Sequence, residues 1–382
     1  MGNAQSLCKR TRRKCLAAAV TLTKVVWGAT IFVSPPCEAA DDAPARAKMV
    51  ATLRKLAADI QANGNRLKTW SAKGELIEGR PGREGELPWV ERKVRVHFER
   101  DLVGDRLFTI YETLSAPPPV EFTAPSGDRT RIHYELVERH VVAGNDWIKA
   151  TPAPTEERPG SLPLARGPGV NSAWRRTRQE AERFMTFSSV IEPRQLLLCY
   201  SGNRTFDDGL TGSADWIEKG NKLPLEIKQT PVGDGLLYTL RQSYRQGDAT
   251  SEISLIVETT YDSLFRHMPV HRVRMTPEGV VLDEDDWAYE SVADVLVPFS
   301  YRRVKYRSDE VHTKELSREF TFDEIHINEP IDEAWFGWSR LGLVEGDQIC
   351  DEVEGTLYRF TKGEPAPTGE TFSQPKTPRR KD

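Results

Sequence analysis

The feature that most restricts what this chain can fold into is a change of period. Between about Ala45 and Asn63 the apolar residues Met49, Leu53, Leu56 and Ile60 recur at three- and four-residue steps, as on one face of a helix that Gly64 stops. From Trp70 onward the period becomes two. Val94, Val96 and Phe98 alternate with Lys93, Arg95 and His97, which is the pattern of a strand with one side on a core. The alternation returns in Phe108-Ile110, Ile132-Tyr134-Leu136, Leu236-Tyr238-Leu240, Ile253-Leu255-Val257 and Leu316-Phe320-Phe322, with Gly, Asp, Asn or Pro between most runs. Only two further helical stretches are expected, about Ala173 to Phe187 and about Arg194 to Cys199. Strands spaced as hairpins, without crossover helices, predict an α+β, mainly β architecture built on one large antiparallel sheet.

The first 39 residues read as an export signal. A basic stretch (Lys9, Arg10, Arg12, Arg13, Lys14) precedes an apolar run from Cys15 to Val33 and small residues at Ala39 and Ala40. This predicts a periplasmic or secreted location. Lys24 interrupts the run, and an uncleaved anchor is the alternative. The opening Met1-Gly2-Asn3-Ala4-Gln5-Ser6 matches a myristoylation pattern, but a basic and then apolar continuation is what export needs. Ser34-Pro35-Pro36 before Cys37 lacks the apolar and small residues that precede a lipid-modified cysteine.

With 38% hydrophobic and 29% charged residues the chain has enough apolar material for a core, so wholesale disorder is excluded. Removing residues 1–39 takes away six basic residues and Glu38, from 53 basic and 57 acidic to 47 and 56, a net charge of −9. An acidic protein of this kind does not suit nucleic acid. Cys199 and Cys350 remain, free to form a disulfide after export or to stay as buried thiols. Residues 40–363 are expected to form a single β-domain, with a Pro/Gly-rich exposed loop at 151–170 and a disordered tail at 364–382.

Several segments resemble the LolA/LolB-like, outer-membrane lipoprotein-sorting-like family of secreted bacterial proteins. Leu53-Arg54-Lys55-Leu56 through Leu67-Lys68-Thr69-Trp70-Ser71-Ala72-Lys73-Gly74-Glu75 looks like that family's helix and entry into the first strand. Tyr261-Asp262-Ser263-Leu264, Pro269-Val270-His271-Arg272 and Val297-Pro298-Phe299-Ser300-Tyr301 are similar to its hairpin and following strand. Phe320 to Asn328, Glu329-Pro330-Ile331-Asp332, Trp335-Phe336 and Gly346 to Asp351 resemble its closing segment. The resemblance implies a strongly curved open sheet, a half-open barrel, around a helical lid. It also implies a bacterial-envelope lipoprotein carrier. The bland reading of the 328–336 corner is structural: Asn328 bonds its own backbone, Pro330 stops pairing, and Asp332 caps a short turn.

No nucleophile elbow, phosphate loop, zinc-protease pair or dinucleotide fingerprint is present in the sequence. His267 and His271 are four apart, but Pro269 breaks any helix between them, so they read as scattered surface histidines. His133 and His140 would point to opposite faces of a strand. Asp283-Glu284-Asp285-Asp286 reads as a solvated hairpin tip, and Asp207-Asp208-Gly209 as a turn. The chain is therefore expected to bind rather than catalyse, with no cofactor and no metal.

Inward-facing aromatics either pack a closed core or, in a half-open barrel, line a cavity for an acyl chain. The second alternative selects Trp70, Val96, Phe98, Phe108, Ile110, Tyr134, Leu136, Tyr238, Leu255 and Phe320 as cavity-lining residues. The expected partner is a lipid or a lipoprotein acyl chain. The runner-up is an envelope sensor or scaffold that binds a protein segment along a sheet edge, and a hydrolase with a dispersed site comes third.

Overall fold

The computed structural model describes residues 43–82, 89–118, 120–123, 129–132, 137–151, 173–177, 205–221, 223–245, 253–307 and 313–371. In chain order the elements are α1 (Ala43–Gly64), β1 (Thr69–Pro81), β2 (Trp89–Asp101), β3 (Arg106–Ser115), β4 (Val120–Thr123), β5 (Arg129–Ile132), β6 (Val137–Ala143), β7 (Asp146–Ala150) and β8 (Ala173–Thr177). They continue with α2 (Phe206–Glu218), β9 (Leu225–Val232), β10 (Gly235–Arg245), β11 (Ile253–Asp262), β12 (Met268–Met275), β13 (Val281–Val292), β14 (Val295–Tyr306) and β15 (Lys314–Ile327). After two 3-10 turns, Glu333–Phe336 and Trp338–Leu341, the chain closes with β16 (Gln348–Asp351), β17 (Thr356–Thr361) and β18 (Glu364–Thr371).

Sixteen of these strands form one curved, unclosed sheet with β1 near its middle. On one side β2, β3, β6, β7, β8, β16, β17 and β18 follow in order; on the other, β15 back to β9 form an uninterrupted meander. Every neighbour pair is antiparallel except β8 and β16. Strands β4 and β5 make a separate ribbon.

Period-two burial fixes the register, since a one-residue slip would turn every apolar side chain outward. Along β1, Trp70, Ala72, Leu76 and Glu78 are all nearly inaccessible while Lys73 is exposed. Gly74 sits at a bulge where β1 runs against β15, and a Cβ there would lie 2.0 Å from the carbonyl oxygen of Thr321. Only glycine tolerates that approach.

Helix α1 forms as the 3.6-residue spacing predicts, burying Leu53, Leu56, Ala57 and Ile60. The corner at Asn328 also forms, with a left-handed φ of 60°. Its side chain does not bond locally. Asn328 Oδ1 accepts from the Lys68 amide at 2.7 Å and Nδ2 donates to the Arg66 carbonyl at 2.8 Å, so the end of β15 clamps the entry to β1. Asp332 caps the following turn through the Ala334 amide at 3.0 Å, as expected.

Four local expectations are corrected. Residues 173–177, expected to open a helix, are strand β8, because β7 and the distant β16 both offer backbone partners that local propensity cannot register. Asp207-Asp208-Gly209 is not a turn but the start of α2, capped by Thr205 and favoured by two carboxylates near the positive end of the helix dipole. Glu364–Thr371, expected in the tail, pairs with β17. Asp283 to Asp286 is not a hairpin tip; it lies inside β13. Residues 1–42, positions 152–170 of the expected loop, the rest of the expected helices between 178 and 204, His133, Tyr134 and Leu136, and positions 372–382 of the expected tail lie outside the described residues. No described helix is long and apolar enough to cross a membrane.

Candidate ligand-binding face

One face of the sheet carries the main apolar cluster, and α1 and α2 lie over it. Both helices commit a single stripe to it: Leu53, Leu56 and Ile60 from α1, and Phe206, Leu210, Ala214 and Ile217 from α2. Beneath them a stripe of ring contacts crosses the strands: Tyr111 to Phe98 (6.0 Å between centroids), Phe98 to Phe322 (5.7 Å), Phe322 to Phe320 (6.2 Å), Phe320 to Tyr301 (6.3 Å), Tyr301 to Trp287 (5.6 Å) and Trp287 to Phe206 of α2 (5.6 Å). All six are edge-on or tilted, and none is a face-to-face stack, in keeping with the preference of aromatic quadrupoles.

Polar contacts hold the two helices at their rims. Arg54 of α1 reaches Asp215 and Glu218 of α2. At the other end Asn63 is buried and grips both backbone groups of Leu296: Nδ2 donates to its carbonyl and Oδ1 accepts from its amide, each at 2.8 Å. Beside it a polar cavity of about 300 Å³ is lined by Asp59, Asn63, Arg66, Ser263, Arg266 and His267. His267 is buried, not a surface residue, with Nδ1 2.7 Å from Asp59 Oδ2. His271 is a strand residue paired with Asp286. This cavity's lining is wrong for an acyl chain.

Of the residues selected from the sequence, Trp70, Val96, Phe98, Tyr238 and Phe320 come together under the helices, each at most 5% exposed. Leu255 is half-buried further along the sheet. Phe108 and Ile110 go elsewhere. They face the opposite side of β3, in a second cluster closed by Trp335, Phe336 and Trp338. The physical cause is the strand's own period: Tyr111 points toward the helices, so Phe108 and Ile110 point away.

Sequence reasoning missed a second stripe on the helix-covered face. Two residues beyond Leu76, Phe320, Tyr301 and Trp287 along their strands stand Glu78, Arg318, Arg303 and Asp285, and the row continues through Arg272. Glu78 Oε2 accepts from Arg92 Nη2 at 2.5 Å, and its Oε1 accepts from Arg318 Nε at 2.9 Å. Asp285 Oδ2 accepts from Arg272 Nε at 3.0 Å and Nη2 at 2.6 Å, while its Oδ1 accepts the Tyr301 hydroxyl at 2.6 Å. Asp283 lies 2.5 Å from Arg274. Asp283 and Asp285 are both wholly inaccessible.

Burial sets the two aspartates apart. At Asp285 burial favours the neutral acid, but the charges of Arg272 and Arg303 with the two donors win and hold its pKa below the ordinary value. At Asp283 burial wins and the pKa is raised, opposed by Arg274 and Arg303 and helped by the neighbouring Asp285. A signal for this stripe was present in the sequence: charges two apart in three strands (Arg272/Arg274, Asp283/Asp285, Arg303/Lys305) have the spacing of an inward row.

Cys350 is a buried free thiol; Cys199 lies outside the described residues. Among the described residues no three His, Cys, Asp or Glu side chains converge as metal ligands would.

An open, curved, mainly antiparallel sheet with one face under helices is the architecture that the LolA/LolB-like resemblance implies. No protein-family model and no curated protein matches the chain. Among solved structures it is similar to a DUF1329 family protein from Desulfovibrio piger, at 10% identity and TM-score 0.37, over 76% of this chain and 98% of that one. It is also similar to a domain from Vibrio parahaemolyticus described as an outer membrane lipoprotein-sorting protein, at 10% identity and TM-score 0.34, over 75% of this chain and 98% of that one.

Proposed function

We propose that this chain is an exported, envelope-facing carrier that holds a lipophilic ligand between its open sheet and the α1–α2 pair, with no chemical step. The observation that carries this reading is the covered aromatic stripe. In a sheet that does not close on itself, the apolar side chains across its middle are shielded, among the described residues, by the two helices. The six large apolar side chains the helices contribute are worth on the order of 10 kcal/mol of burial, so full exposure of this face to water is costly. An acyl chain of about fourteen methylenes, at roughly 0.8 kcal/mol each, offsets that cost if it takes the helices' place. Helices held by rim contacts and one stripe each suit a lid that yields to such a ligand. The edge strand β9 carries Lys228, Gln229, Thr230 and Pro231 in its second half, ahead of its last residue Val232, which discourages addition of a partner strand and disfavours the scaffold alternative.

Native mass spectrometry on protein purified from its own envelope tests the reading. Co-purifying lipid, released when the protein is unfolded, is the expected result. A ligand-free mass that stays unchanged after incubation with lipid extracts would overturn it.

A further inference from the structure

We infer that the charged stripe beside the aromatic one is the second half of the same binding site, and that it takes the phosphate or carboxylate headgroup of an amphiphile whose acyl chain lies under the helices. This rests on the carrier reading above.

The two stripes are contiguous. On β1, β15, β14 and β13 the apolar residue and the charged residue next to it on the same face are Leu76 and Glu78, Phe320 and Arg318, Tyr301 and Arg303, Trp287 and Asp285. The boundary between grease and charge therefore runs straight across four strands, about 7 Å from one row to the next. An amphiphile has the same division.

The stripe is built with donors to spare. Asp285 is fully committed, its Oδ2 to Arg272 and its Oδ1 to Tyr301, and Arg303 stands 3.8 Å from that same Oδ1. Among the described residues Arg303 shares both of its acids, Asp285 with Arg272 and Asp283 with Arg274, and its Nε, although buried, makes no hydrogen bond. Arg272 is 6% exposed, and its Nη1 also makes none. A buried donor left unmade costs about 1–3 kcal/mol, more on a charged group. An anion's oxygens remove that cost. Guanidinium forks match phosphate and carboxylate oxygens in pairs, and the Arg303 side chain is 34% exposed, so a ligand can reach it.

Arg272 also joins the headgroup stripe to the lid. Its guanidinium lies 5.8 Å from the ring of Phe206, the first residue of α2, and 5.6 Å from that of Trp287. An anion seated on the arginines changes what the start of α2 packs against.

The test compares ligands of one tail and different heads on the full mature chain: oleyl alcohol, oleic acid and oleyl phosphate, with inorganic phosphate alone as a fourth probe, read by tryptophan fluorescence titration. Oleyl phosphate should bind about tenfold or more tighter than oleyl alcohol, with an advantage that shrinks in salt, and inorganic phosphate should not saturate in the same range. Arg303→Gln should erase most of that advantage, weakening oleyl phosphate far more than oleyl alcohol. Equal affinity for alcohol and phosphate in the wild-type protein overturns the headgroup site while leaving the carrier reading standing. Binding of none of the three oleyl compounds overturns both. Inorganic phosphate binding as tightly as oleyl phosphate makes this a free-anion site and overturns the amphiphile assignment. The wild-type comparison decides the matter even if Arg303→Gln misfolds, and Arg318→Gln, at the neighbouring pair with Glu78 in the same row, provides a second variant that should also reduce the phosphate's advantage.

Discussion

Arg272 and Asp285 face each other across β12 and β13 with two hydrogen bonds to one carboxylate oxygen, and neither is more than 6% exposed. Such a pair is held at a desolvation cost, so breaking it and replacing it have different consequences. Asp285→Asn leaves two arginines facing a neutral group and should lower stability by about 3–5 kcal/mol in a denaturant titration. Replacing both partners, Arg272→Met with Asp285→Leu, should recover most of that loss. A double variant no more stable than the single one would mean that the ion pair is not the source.

The same stripe makes acid sensitivity predictable. Burial would raise the Glu78 carboxyl, but Arg318 and Arg92 hold it below its ordinary value of 4.5. A carboxylate held low in the folded state adds stability that is complete above its unfolded value and drains away as pH falls through the folded one. Unfolding midpoints should therefore fall as pH drops below about 4.5, and Glu78→Gln should flatten that slope. Asp283, raised by burial, acts in the opposite direction and reduces the effect. Equal slopes in wild type and Glu78→Gln would refute the assignment to Glu78.

Asn63 is the latch between α1 and β14. Asn63→Ala leaves the buried amide and carbonyl of Leu296 without their side-chain partners, which should cost about 1–3 kcal/mol. Hydrogen exchange should quicken throughout α1 and hardly change in β1 or β2. A uniform increase across the sheet would show that the helix does not open independently.

Cys350 should be inert while the protein is folded. Burial first, and then the nearby Glu352 carboxylate, pushes its thiol up to about 11, so little thiolate exists at neutral pH. Peptide mapping after iodoacetamide treatment should find Cys350 unmodified in native protein and fully modified in denaturant. Labelling at equal rates in both states would contradict the burial seen in β16.

Much of the fold was legible residue by residue. The helical spacing of Met49, Leu53, Leu56 and Ile60 and the alternation around Val96, Tyr238 and Phe320 express local geometry, and each became the element expected of it. Residues 173–177 did not, because their partners are β7 and a strand 176 positions later. The site was legible only in part. Phe98 and Phe108 carry the same signal in adjacent strands and enter different clusters.

By itself, then, the sequence determined that a sheet forms, where its strands run and which of their residues avoid water, since backbone period and side-chain polarity are properties of short segments. Only the tertiary structure decided what covers each side of that sheet. A period of two says that alternate residues share a face but not what lies above it. The acids at 283 and 285 became an interior stripe, not a solvated tip, because β12 and β14 bring Arg272, Arg274 and Arg303 against them.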